Sequence, residues 1–183
     1  AHMAFKILRK VRGVSRSESG VKITYDRIVL DVGPGREEAE LLGFLLFEVG
    51  GNMHKDYKAA ADALHASHGL RPPPLWVRAG DREVELQPYL PKLRDAFEKL
   101  EDIKLTRDSP YLEELRNSGA PEEYVEKLKP AEDAQTGKIK AYNPLDALAV
   151  AVLTQTPADG IVRLILRDLD SREVEKLLKA LAH

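Results

Sequence analysis

The chain has 183 residues, 43% of them hydrophobic and 32% charged, with a formal net charge of −2. This length predicts one domain, or one domain with an appended oligomerisation segment, large enough to hold a core without a metal or disulfide staple. There is no cysteine, which excludes disulfide frameworks, thiolate nucleophiles, Cys-ligated zinc and iron–sulfur clusters. No stretch approaches the ~18 apolar residues of a membrane span and no secretory signal is visible, so a cytoplasmic location is expected. Ala1–Met3 reads as a cloning remnant. Interleaved charges and absent cysteine point to a thermophilic source.

"FKILRKVRG" and "VKITYDRIVLDV" alternate apolar with polar residues at period two and predict two antiparallel strands joined by the polar "GVSRSESG". The first strand is basic: Lys6, Arg9, Lys10, Arg12 and Arg16 occur between residues 5 and 16 with no acid among them. "GPGREEAELLGFLLFEVGG" opens with turn residues and acids and continues as a broadly apolar helix, expected at the centre of the core and stopped by Gly50 and Gly51. "KDYKAAADALHASHG" predicts a second helix ending before Gly69, and "RPPP" an extended connector. "LWVRAGDREVELQ" predicts a hairpin in which Leu75 and Val77 share a face with Val84 and Leu86, while Trp76 and Arg78 point the other way.

From "PYLPKL" onward the pattern is helical. Ser109–Pro110 and Asn143–Pro144 mark helix starts, and Thr156–Pro157 with Asp159 resembles a capping box. "NPLDALAVAVLTQ" is almost wholly apolar, and Ile161, Ile165, Leu169, Val174, Leu177, Leu178 and Leu181 recur at helical spacing, with a strand for "IVRLIL" as the alternative. A polar stretch near residues 130–143 sets a boundary between an α+β domain (4–130) and a helical C-terminal segment (131–183). The fold class is α+β, a small antiparallel sheet in ββααββ order packed with helices.

"VLDVGPG" resembles the first motif of S-adenosylmethionine-dependent methyltransferases, but Glu37 stands where that family expects a third glycine. Glu37, Glu38 and Glu40 already answer the helix dipole, and no second parallel strand follows about 20 residues on, so no cofactor site is expected. His54, Asp62, His65 and His68 are the residues from which a small metal-dependent enzyme would build its centre; the plain reading is histidines near helix ends, and no metal is expected. Ser15, Ser17 and Ser19 lack any nucleophile context. The chain is therefore read as non-catalytic.

What remains is a basic strip with aromatics nearby. Lys6, Arg9, Lys10, Arg12, Arg16 and Lys22 are expected to follow phosphates, and Tyr25 and Trp76 to stack bases beside Arg78 and Arg82. The order of "FKILRKVRG…VKITYDRIVLDV", the helix pair through "HASHG", "LWVRAGDREVELQ" and the leucine-rich tail resembles the archaeal ThermoDBP single-stranded DNA-binding proteins. That resemblance implies single-stranded DNA binding, favoured over RNA, in clefts between subunits of a homo-oligomer (dimer or tetramer) joined through C-terminal helices, without catalysis. The alternative is a protein–protein assembly subunit.

Overall fold

The structure is a computed structural model that describes the backbone of residues 8–18, 21–132 and 135–182, and side chains from residue 28 onward apart from residue 131. The chain is mixed α+β. Strands β1 (Leu8–Glu18), β2 (Val21–Asp31), β3 (Leu75–Ala79) and β4 (Arg82–Glu85) form one sheet in the order β1-β2-β3-β4. β1 and β2 are antiparallel, as are β3 and β4, but β2 and β3 run parallel. The expectation of an antiparallel sheet is corrected here: a parallel pair needs a crossover, and the helices of residues 38–68 supply it.

Ile28, Leu30 and Val32 on β2 and its continuation, with Leu75, Val77 and Ala79 on β3, form the face turned to the core. β4 adds Val84 opposite Val77, and Leu86 donates its backbone N–H to the Leu75 carbonyl. β3 begins at Leu75 for a covalent reason. Pro72, Pro73 and Pro74 carry no N–H, so the connector cannot continue a ladder along β2. The last bond is the one β2 donates, from Ile28 N to the Pro74 carbonyl at 2.9 Å.

The crossover is one unbroken helical run: α1 (Glu38–Gly43), a π-helical segment (Phe44–Met53) and α2 (His54–His68). Gly50 and Gly51 do not stop it, against the sequence expectation. They let α3 (Leu90–Asp102) approach: a Cβ on Gly50 would lie 2.5 Å from the Leu93 carbonyl oxygen, and one on Gly51 2.8 Å from the Phe97 ring. The Arg94 guanidinium reaches back to the carbonyls of Gly50 and Gly51 at 3.5 and 3.4 Å. Gly69, left-handed at φ 66°, ends α2 as expected. Unlike the π segment, α2 has no fully buried residue.

α4 (Pro110–Asn117) starts at Ser109, whose hydroxyl accepts from Tyr111 N, and α5 (Glu122–Lys127) follows. Two short strands, β5 (Ala131–Glu132) and β6 (Ile139–Lys140), pair across the polar stretch. α6 (Pro144–Leu153) opens with a reciprocal capping box between Asn143 and Asp146. α7 (Asp159–Leu169) is a helix, not the alternative strand. Its start is not capped by Thr156, which pairs instead with the Thr154 hydroxyl at 2.7 Å; Ala158 occupies the cap position. The apolar stripes of α7 and α8 (Arg172–Ala182) are buried with Leu30, Phe44 and Leu112 in one cluster. Residues on both sides of the 130/131 boundary thus share a core.

Candidate nucleic-acid interface

β1 and β2 are each 11 residues long, yet only Ile28–Asp31 of β2 pairs with β3. Val21–Arg27, with the β1 residues opposite, is therefore a two-stranded ribbon past the end of the sheet. At ~3.3 Å per residue its length is about 23 Å. Residues 8–27 hold six Lys and Arg (Arg9, Lys10, Arg12, Arg16, Lys22, Arg27) against two acids, Glu18 and Asp26. The rest of the chain is negative, since the total is −2.

Lys6 lies outside the described residues; Arg9, Lys10, Arg12, Arg16, Lys22 and Tyr25 have a described backbone. Register divides them. Arg9 pairs with Val29 and, through it, with Trp76 and Glu85, one row across the sheet. Arg16 opposite Ile23, Tyr25 opposite Val14 and Arg27 opposite Val11 share that row's pleat parity. Lys10, opposite Ile28, and Lys22 have the other parity. Arg12 sits in an irregularity, because Arg12 and Gly13 together face Asp26 between the pairs Val11–Arg27 and Val14–Tyr25. The cationic positions thus carry both pleat parities rather than one.

The β3–β4 half differs. Trp76 is half-buried, and Val29 beside it in the row is fully buried. Arg78 stands between Asp31 and Glu83 in register and donates from Nε and Nη2 to Glu83 Oε1 at 3.1 and 2.9 Å. Arg82 is exposed. Trp76 is opposite Glu85 in the register. This mixed charge weakens a phosphate-tracking role for Arg78 and leaves the ribbon as the basic part.

The ribbon's base is braced by a side-chain network. Tyr57 donates to the Pro73 carbonyl and accepts from Gln87 Nε2, both at 2.8 Å, while Gln87 Oε1 accepts from Leu75 N at 3.0 Å. Burial pushes the Tyr57 phenol above its ordinary range. This network satisfies the first N–H of β3 and pins the proline connector, so Tyr57 is a structural aromatic.

The other candidate chemistry is not assembled. The positions about 20 residues past Asp31 are helical, as expected from the sequence, and the parallel strand that follows the glycine loop arrives only 44 residues after Asp31. Asp31 Oδ1 accepts from Gly33 N, and Arg36 pairs with Glu40 at 2.8 Å. The cleft of about 740 Å³ beside this loop is bordered by Glu37, Glu38, Glu40 and Asp159 with Arg36, a poor setting for a phosphate-bearing ligand. His54 and His65 are 11 residues apart along α2, about 16 Å at the helical rise, and among the described residues no three potential ligands converge. His54 sits beside Arg94, with Nδ1 enclosed and without a hydrogen-bond partner among the described residues.

Sequence reasoning missed two features. Arg27 belongs to the ribbon and was legible in "KITYDR"; the terminating role of Pro72–Pro74 needed knowledge of which strand lies beside them. No protein-family model, curated protein or solved structure matches this chain.

Proposed function

We propose that this protein binds nucleic acid without catalysing a reaction, gripping phosphates along the β1–β2 ribbon. The observation that carries this reading is the ribbon beyond Leu75, in a segment with six Lys and Arg against two acids, on a chain that is otherwise negative. Local cation excess on an extended element supplies sequence-independent affinity, because each neutralised phosphate releases counterions. The single-stranded DNA reading adds Tyr25 and Trp76 as stacking groups. Anisotropy of labelled single-stranded DNA, RNA and duplex at about 50 and about 200 mM salt tests the proposal, and no binding to any of the three at low salt removes it.

A second reading, an assembly subunit or homo-oligomer, is favoured by α6. That helix is apolar apart from Asp146 in its first turn, and Leu153 on it is 57% exposed. Light scattering across a range of concentrations tests it: a monomer throughout removes self-assembly.

A further inference from the structure

Resting on that nucleic-acid reading, we infer that the ligand is a duplex and that the β1–β2 ribbon is an arm seated in its major groove.

Three observations lead there. The first is shape. Pro72–Pro74 precede β3 and keep it from starting earlier, and Val21–Arg27 pairs with β1 on one side and with no strand on the other among the described residues. Two strands about 4.8 Å apart, with side chains, are of the width that a major groove ~12 Å across admits. An arm of about 23 Å spans roughly seven base pairs at 3.4 Å each. The irregularity at Arg12–Gly13 adds right-handed twist, which a rod following a helical groove requires.

The second is charge placement. On the arm, Arg16 and Arg27 hold one pleat parity and Lys22 the other, while Arg9 and Lys10 sit at its base, in rows that continue into β3. A groove flanks its occupant with a phosphate backbone on each side, so cations of both parities are used. An open platform for an unpaired strand gathers them on one face.

The third is the supply of stacking groups. Binding unpaired bases in succession requires several aromatics along the path. Between residues 8 and 27 there is one, Tyr25, and Trp76 stands off the ribbon on β3, opposite Glu85.

The test uses the full chain with a fluorescein-labelled duplex of about 24 base pairs and, separately, one of its strands. The duplex is expected to bind at least about tenfold tighter than the strand, with a log–log salt slope of about −3.6 for phosphate contacts from the arm's Arg12, Arg16, Lys22 and Arg27, a loss of about 10² between 50 and 200 mM. The triple variant Arg12→Gln/Arg16→Gln/Lys22→Gln is expected to reduce the slope by about 3. Should that variant fail to fold, the wild-type slope decides instead: a slope shallower than about −2 overturns the inference. A strand bound as tightly as the duplex overturns it while leaving the nucleic-acid reading intact; binding to neither removes both. A triple variant that folds and binds with an unchanged slope overturns the placement on the ribbon. A minor-groove ligand of the netropsin type, bound first to an A·T-rich duplex, is expected to leave binding unchanged; its displacing the protein overturns the groove assignment.

Discussion

Gly50→Ala is expected to destabilise the protein by about 2 kcal/mol, and the reasoning is open to a direct control. A Cβ at residue 50 would lie 2.5 Å from the Leu93 oxygen, 2.9 Å from the Leu93 carbonyl carbon and 3.3 Å from Phe97 Cβ. Ordinary contact begins near 3.4 Å, so about 0.9 Å must be found. The opposing atoms are α3 backbone, which moves only as a body. Overpacking of this kind costs roughly 1–3 kcal/mol, and alanine's gain in helix propensity returns at most about 1. At roughly 2–4 °C per kcal/mol for a chain of this size, the melting temperature falls by about 4–8 °C. Gly160 supplies the control. A Cβ there would lie nearer still to its neighbour, but that neighbour is the carboxylate end of Glu114. This end rotates away at the loss of a 3.4 Å hydrogen bond from Ser118, so Gly160→Ala is expected to stay within about 0.5 kcal/mol of wild type. Urea unfolding of both variants decides the matter. If Gly160→Ala proves the more damaging of the two, close backbone approach is not what Gly50 provides.

Other consequences are open to the same kind of measurement. Tyr57→Phe removes the hydroxyl that joins the Pro73 carbonyl to Gln87, and is expected to cost about 1–2 kcal/mol and to speed proteolytic cleavage within residues 69–74; an unchanged cleavage rate would show that the connector is held otherwise. Gln155 follows α6 at φ 54°, a left-handed position that suits glycine, so Gln155→Gly is expected to raise stability by about 0.5–1 kcal/mol in chemical denaturation. Burial, then the Arg94 and Lys58 charges, hold the His54 imidazole below its ordinary 6.5, with Asp95 and Glu98 opposing. The unfolded chain therefore takes up a proton that the folded one resists. Stability is full above about pH 6.5 and declines as pH falls from there towards the folded-state value, a slope that His54→Gln should flatten in melts between pH 7 and 5.

Much of the secondary structure is readable from local chemistry. Period-two alternation marked β2, β3, β4 and the first half of β1, although β1 continues to Glu18 through most of the "GVSRSESG" expected as a loop. Gly69 ended α2, and Ser109 and Asn143 announced α4 and α6, because caps and pleats depend on residues close in the chain. Gly50 and Gly51 were misread as a stop since the same residue that ends a helix also lets another helix come close, and only the presence of α3 distinguishes the two. The basic excess of residues 8–27 was likewise visible, but its division between two pleat parities follows from a register that the interruption at Arg12–Gly13 shifts.

The residue order dictated which segments are strands, where cations concentrate and which side chains avoid water, all consequences of periodicity and composition. It left open that β2 and β3 run parallel and that three prolines would lie alongside β2. Those facts arise from how distant segments meet: a missing N–H matters only when a strand is waiting for it, and a ribbon exists only where that strand finds no second neighbour.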